Sequence, residues 1–286
     1  MKKSCVILDG FALTYRAYYG LPTSIRTIKG TAINAVLGFY NTLSALIEQF
    51  QPHYLIAVFD HTQPSFRQTM YPLYKANRPP MPDDLRQQLP LIKDVLTACA
   101  IPILQLASYE ADDIIGTITC NLPPETEAYV ITVDRDLLQL VNSQVTVVIP
   151  NNRYNRIYTP STVQDEINVT PEQIPDLKAL IGDPSDNIPG IALIGPKTAA
   201  KWLKEYGSLE AIIAHADQLP GKAGANLRAS IQQVRLYKQL TTICTNAPLL
   251  WCWQACKLTT DFSPLRTILD SIGIAAKLPT NLRTAQ

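Results

Sequence analysis

Through the first half of the chain, short and mostly apolar runs alternate with longer stretches in which apolar residues return every three or four positions. The runs Cys5–Leu8, Tyr54–Phe59, Pro102–Leu106, Tyr129–Val133 and Val145–Ile149 predict strands, being brief and rich in Val, Ile and Leu. Thr31–Phe50, Asp83–Ala100 and Ala111–Leu122 predict helices between them. Strands covered on both faces lose the alternation of half-buried ones, and strands that alternate with helices pack side by side in parallel. The expected fold is therefore α/β, a largely parallel sheet flanked by helices. After about residue 160 the strand pattern stops, and Pro171, Pro175, Pro184, Pro189, Gly190, Pro196, Gly207, Pro220 and Gly221 cut the sequence into short helices. This predicts a core over residues 1–170 and a helical region over 171–286. Arg78-Pro-Pro-Met-Pro82 predicts a loop entering a helix capped by Asp83 or Asp84.

Composition removes several classes of protein. With 286 residues, 47% of them hydrophobic and 17% charged, the chain is neither disordered nor collagen-like. No apolar run approaches the ~20 residues of a membrane helix. The apolar stretch after Lys2 and Lys3 is too short for a signal-peptide core and ends in Asp9, so a soluble cytoplasmic protein is expected. Cysteines at 5, 99, 120, 244, 252 and 256 form no paired CxxC clusters, which predicts reduced thiols and no zinc ribbon. The net charge of +1 hides an uneven distribution: residues 106–190 carry 13 acidic against 4 basic side chains, and residues 191–240 carry 7 basic against 3 acidic.

The acids fall at particular places on the expected scaffold. Asp9, Asp60 and Asp134 follow the first, second and fourth strands, at the carboxyl edge where open α/β sheets bind ligands. Glu110, Asp112 and Asp113 open the helix after the third strand, where free backbone N–H groups favour negative charge. Asp136 lies two residues beyond Asp134, and Asp183 and Asp186 sit in Gly-Asp-Pro-Ser-Asp-Asn. Carboxylates brought together repel unless cations neutralise them. Oxygen ligands without converging His or Cys indicate Mg²⁺ or Mn²⁺, and two such ions suit in-line displacement at a phosphodiester. A phosphatase with an aspartyl nucleophile would want a second Asp where Phe11 stands, the histidines at 53, 61 and 215 are isolated, and no P-loop or Ser/Cys nucleophile motif is present.

An ordered set of motifs carries a family resemblance: Val6-Ile-Leu-Asp9-Gly, Tyr15-Arg-Ala-Tyr18, Val58-Phe-Asp60, Ser65-Phe-Arg67, Tyr74-Lys-Ala-Asn-Arg78-Pro-Pro-Met-Pro-Asp-Asp-Leu, Glu110-Ala-Asp-Asp113, Thr132-Val-Asp-Arg-Asp136, Gly182-Asp-Pro-Ser-Asp-Asn-Ile-Pro-Gly190 and Ile194-Gly-Pro-Lys-Thr-Ala199. Over roughly residues 5–245 the chain resembles the bacterial 5′-nuclease family, the 5′→3′ exonuclease domain of DNA polymerase I and its stand-alone flap endonuclease relatives. With no polymerase sequence after it, the chain resembles a free-standing nuclease or an isolated domain. The resemblance implies a PIN-like core, a helical arch at about 61–100 and a helix-hairpin-helix-type module that grips duplex DNA.

It also implies roles for individual residues. Asp9, Asp60, Glu110 and Asp112 would favour one metal position, and Asp113, Asp134, Asp136, Asp183 and Asp186 would supply or support a second. Lys75, Arg78 and Arg16 match basic positions that stabilise the phosphate in the transition state, and Tyr74 would stack on a base or pack. Pro189–Lys201 reads as a hairpin leading into a helix, with Lys197 and Lys201 on one face toward phosphates. The family's hairpin, which can hold a potassium ion, reads Gly-x-Gly; here it is Leu193-Ile-Gly195. The expected activity is Mg²⁺-dependent cleavage near a 5′ end or flap of branched or nicked duplex DNA, with an RNA–DNA hybrid as a further substrate. The expected role is removal of RNA primers and flaps in replication and repair, by a monomer working beside a separate DNA polymerase. A catalytically silent junction-binding protein and a PIN-type ribonuclease are the alternatives.

Overall fold

A computed structural model describes residues 2–27, 29–151, 154–259, 261–275 and 278–279. Its centre is a six-stranded sheet of β1 (Lys3–Asp9), β2 (Tyr54–Val58), β3 (Ile103–Leu104), β4 (Thr126–Ile131), β5 (Val145–Ile149) and β6 (Arg156–Tyr158), in the order β3-β2-β1-β4-β5-β6. All neighbours pair in parallel except β5 and β6. β1 lies in the middle, with Asp9 opposite Val58 on one side and Leu8 opposite Ile131 on the other. Both faces are covered: Cys5 and Ile7 enter one apolar cluster, Val6 and Leu8 the other. A one-residue slip would exchange the two sets, so the register is fixed by packing.

Several boundaries differ from the sequence expectation for identifiable reasons. β4 starts at Thr126 and ends at Ile131: the Thr132 amide still reaches the Val148 carbonyl at 3.2 Å, but its hydroxyl already accepts the Asp134 amide in the turn beyond. β3 keeps only Ile103 and Leu104. β6 escapes pattern reading as a three-residue antiparallel edge strand. An unpredicted helix, α1 (Gly10–Gly20), begins directly after Asp9, whose side chain caps it by accepting from the Ala12 amide at 3.1 Å. α2 (Asn34–Phe50) starts later than Thr31, since the bridge between Arg26 and Ala32 and the bond from the Ile33 amide to the Ile25 carbonyl occupy that backbone.

α3 (Phe66–Met70) is short, and α4 (Asp83–Ala98) follows Pro82 with no side-chain cap. Asp83 and Asp84 are thus first-turn acids and not caps. α4 buries Leu85, Ile92, Val95 and Leu96 in the same apolar cluster as α2. Within the span expected as an arch, Lys75, Arg78 and Met81 line the acidic cavity, and α4 packs one face against the core. α5 (Ala111–Cys120) follows β3.

The remaining elements are α6 (Pro160–Ile167), α7 (Ile174–Ile181), α8 (Pro196–Tyr206), α9 (Leu209–Ala214), α10 (Gly221–Ala229), α11 (Ile231–Thr241) and α12 (Ser263–Ser271). α12 returns to the sheet layer, where Leu265 and Leu269 join the cluster of α2 and α4. Among the described residues no helix is long and apolar enough to cross a membrane.

Candidate active site

The sheet order makes the site. Strand order reverses between β1 and β4, and at such a switch point the connections leave in opposite directions and open a crevice at the carboxyl edge. Asp9 ends β1 there, 5% exposed. Its second carboxylate oxygen accepts from the Thr132 hydroxyl at 2.7 Å, that hydroxyl accepts the Asp134 amide at 2.9 Å, and Asp134 accepts the Asp136 amide at 2.8 Å. One chain of hydrogen bonds therefore sets three acids across two strands. Asp60, past the end of β2, accepts the Ala111 amide at 2.7 Å and pins the first turn of α5, which brings Asp112 to the same crevice.

Asp183 and Asp186 arrive from the other region through a tight loop. The Asp183 amide donates to the Ile188 carbonyl at 2.7 Å and the Ile188 amide returns at 2.9 Å. Gly182 and Gly190 sit at φ of 85° and 70°, and a Cβ on Gly190 would lie 2.3 Å from the Gly182 nitrogen, so only glycine allows the crossing. Ligand oxygens of Asp136, Asp183 and Asp186 lie within 4.8 Å of one another. The resulting cavity, ≈ 710 Å³, is lined among others by Asp9, Asp60, Glu110, Asp112, Asp134, Asp136 and Asp183.

Electrostatics show the cost of this crowding. Burial, with Asp134 and Asp60 nearby, pushes the Asp9 carboxyl up to about 7. Burial and the charges of Asp134 and Asp9 push Asp112 well above the usual carboxylate range, and burial likewise raises Asp134. Asp183 goes the other way: burial would raise it, but the Lys178 ammonium and two hydrogen bonds from Ser185 hold it below. A set of hard oxygen donors that resist joint ionisation fits a hard divalent cation, which would relieve the repulsion.

Basic side chains from the segment above already engage the acids. Lys75, at φ 57°, donates to Glu110 at 2.6 Å, and Arg78 donates to Asp186 at 2.6 Å. Lys178 on α7 donates to Asp183 at 2.6 Å and pairs with Asp136. Sequence reading missed Lys178, although it is the single Lys or Arg between Arg156 and Lys197 in an acidic stretch. It also missed Thr132, whose role exists only through the pairing of β1 with β4.

Three residues are not brought to the cavity as expected. Asp113 is fully buried, held by both terminal nitrogens of Arg67 at 2.7 Å and by the Cys244 amide at 2.8 Å, so its oxygens are spent on protein donors. Tyr74 is 3% exposed, and its hydroxyl shares its one hydrogen between Glu110 and Asp186, at 3.0 and 2.9 Å. Its ring is a buried strut with no face for a base. Arg16 donates to the Pro150 carbonyl and Thr42 at 3.2 and 3.4 Å and lines a different groove, between α1 and α2.

At the expected hairpin, Leu193 keeps the left-handed conformation at φ 69° and is 68% exposed. The turn that glycine would make freely is made by leucine, at ~1–2 kcal/mol of backbone strain. The Asn226 amide braces it by donating to the Ala192 carbonyl at 2.7 Å. α8 follows, with Lys197 and Lys201 exposed one turn apart.

Residues 4–168 match the 5′-3′ exonuclease N-terminal resolvase-like domain and residues 169–264 its C-terminal SAM fold. DNA polymerase I of Mycobacterium tuberculosis is 42% identical over 254 residues, which are 87% of this chain and 28% of that protein. The chain thus spans less than a third of the polymerase relatives it matches. A 5′-3′ exonuclease of Aquifex aeolicus is 39% identical over 243 residues, 83% of each chain. Among solved structures, the bacteriophage T5 D15 flap endonuclease in a pseudo-enzyme–product complex with DNA and metal ions aligns at TM-score 0.69 and 25% identity, over 85% of this chain and 90% of that one. The catalytic core of Rad2 with DNA substrate aligns at TM-score 0.59 over 96% of this chain and 88% of that one; at 15% identity this is a likeness of fold alone.

Proposed function

This chain belongs to the 5′-3′ exonuclease family, and on that premise we propose that it is a structure-specific 5′ nuclease that hydrolyses DNA phosphodiesters near a 5′ end or at a 5′ flap with Mg²⁺ or Mn²⁺. The observation that carries the reading is the meeting, in one crevice, of the Asp136–Asp183–Asp186 triad with Asp9, Asp112 and Asp134. Asp9, Asp60, Glu110 and Asp112 would hold one ion; Asp134, Asp136, Asp183 and Asp186 would hold the other. Divalent ions held there would supply positive charge for the phosphate oxygens and a more acidic water. Charge balance supports two: with Asp113 neutralised by Arg67, eight carboxylates face the four cations Lys75, Arg78, Arg135 and Lys178, an excess that one divalent ion leaves half balanced.

The chain's own residues divide the remaining work. Lys75 and Arg78 lie on the segment that crosses the crevice, where their charge meets the phosphate as negative charge develops on it. Glu110 and Asp186 hold those cations in place before substrate arrives. The carboxylates orient the attacking water opposite the leaving oxygen. Lys197 and Lys201, on a separate element, bind duplex phosphates without reading sequence, and a potassium ion at the hairpin would help. The core of residues 1–170 cuts and the region of 171–286 grips. Branched or nicked duplex DNA is the substrate, RNA–DNA hybrid included; the protein acts as a cytoplasmic monomer, with a separate polymerase, in primer and flap removal.

The test incubates a 5′-labelled flap, a nicked duplex and single-stranded RNA with the protein in Mg²⁺ and in EDTA. Cleavage of the flap and nick in Mg²⁺ alone is expected. Binding without cleavage would make the chain a silent junction binder, and cleavage of the RNA alone a PIN-type ribonuclease.

A further inference from the structure

Arg67 is the most fully engaged side chain near the crevice, yet nothing in the proposed chemistry uses it. It is 2% exposed on α3. Its Nε donates to the Leu240 carbonyl at 2.8 Å, one terminal nitrogen to Asp113 at 2.7 Å and Glu110 at 2.9 Å, and the other to Asp113 at 2.7 Å and the Thr242 carbonyl at 2.8 Å. All five N–H groups of the guanidinium fork are therefore placed. Asp113 already balances the charge, and the two carbonyls already tie α3 to the end of α11. The bond to Glu110 is an addition that this cross-link does not require.

That bond decides how Glu110 faces the crevice. One Glu110 oxygen takes Arg67 and Tyr74, which leaves the other toward Lys75 and the cavity. The Glu110 backbone is held by the same assembly, since its amide donates to Asp113 at 3.1 Å. A glutamate has three side-chain torsions to fix; here Arg67, beside Tyr74 and Lys75, fixes the carboxylate end, and Asp113, the partner of Arg67, fixes the backbone end. We propose that Arg67 is a positioning residue that presets Glu110, and with it the first turn of α5, for the divalent ion. This rests on the functional reading above, but only on its metal site. Partners that orient a ligand in this way commonly change metal affinity about 10- to 100-fold when altered.

Arg67→Lys keeps the charge and loses the fork. Mn²⁺ binding, read by the loss of the free-ion electron paramagnetic resonance signal, should weaken about 10- to 100-fold in this variant. In a Glu110→Gln background the same change should alter Mn²⁺ affinity by less than about threefold, because its effect passes through Glu110. A merely structural arginine would lower the melting temperature and leave Mn²⁺ affinity as in the wild type, which would overturn the proposal. Should Arg67→Lys fail to fold, the wild-type protein with ¹⁵N-labelled arginine decides: the Arg67 terminal N–H resonances should shift on Mg²⁺ saturation, and unmoved resonances would overturn it. Wild-type protein that binds Mn²⁺ but leaves flap DNA intact would refute the nuclease reading and leave Arg67 in place. Normal cleavage with normal Mn²⁺ affinity in Arg67→Lys would do the reverse.

Discussion

Removing divalent cations should make this protein less stable as the solution becomes more alkaline, the opposite of ordinary acid denaturation. Asp9 is one cause. Its carboxyl sits near 3.8 when the chain is unfolded and is pushed up to about 7 in the fold, chiefly by burial. Between those values the native state holds the proton more tightly, so stability is full below about pH 4, falls as pH rises toward 7 and levels off above it. A difference of about 3 units corresponds to on the order of 4 kcal/mol. Asp112, also raised, adds a loss of the same sign. For a chain of this size that is roughly a 7 °C fall in melting temperature across the range. Scanning fluorimetry from about pH 4 to pH 8 in EDTA should show the fall, and saturating Mg²⁺ should remove most of it, since a ligand of the folded state alone adds stability by mass action. Asp9→Asn, whose amide oxygen can still accept from the Ala12 N–H while its NH2 turns to donate to the Thr132 hydroxyl, should flatten the EDTA curve. A melting temperature in EDTA that stays level or rises with pH, or one indifferent to Mg²⁺, would refute the reasoning.

Asp112→Asn and Asp134→Asn should each lower turnover by orders of magnitude while leaving flap affinity largely intact, checked by single-turnover cleavage beside fluorescence anisotropy. Lys75→Ala and Arg78→Ala should lower the single-turnover rate at saturating enzyme, because their charge matters most in the transition state. Lys197→Ala and Lys201→Ala should instead weaken binding across unrelated sequences and reduce the slope of log K against log salt by about 1 for each phosphate no longer neutralised. Leu193→Gly should raise stability by a net ~0.5–1 kcal/mol, strain relief being partly offset by the freer unfolded chain, as denaturant melts would show.

How far the fold and the site could be read from the sequence depends on the range of the cause. The apolar runs of β1, β2 and β5 are local signals, because a strand buried on both faces must be apolar throughout. The acids after β1, β2 and β4 were legible for a related reason: a strand end, once placed, places its neighbours. α1 was not, since Gly-Phe-Ala-Leu-Thr-Tyr-Arg-Ala-Tyr-Tyr-Gly has a weak apolar period and glycine at both ends, and the Asp9 cap that starts it looks in sequence like one more pocket acid. Asp113 shows the limit most clearly. By position it belongs with Glu110 and Asp112, and only the arrival of Arg67, from 46 residues away, takes it out of the cavity.

Of the cations in the crevice, Lys75 and Arg78 were named through the family resemblance alone and Lys178 not at all, again because of range. Acids cluster where strands end, a rule of topology, but Lys75, Arg78 and Lys178 are distinguished from exposed lysines only by the acid each meets. Lys178 meets Asp183 five residues on across the end of α7, while Arg78 meets Asp186 over 108 residues. The crevice is therefore assembled from both regions of the chain, β-strand ends on one side and the Gly182–Gly190 loop on the other. A change such as Gly190→Ala, which forces that loop away from Gly182, should displace Asp183 and Asp186 together and weaken Mn²⁺ binding even though no acid has been removed.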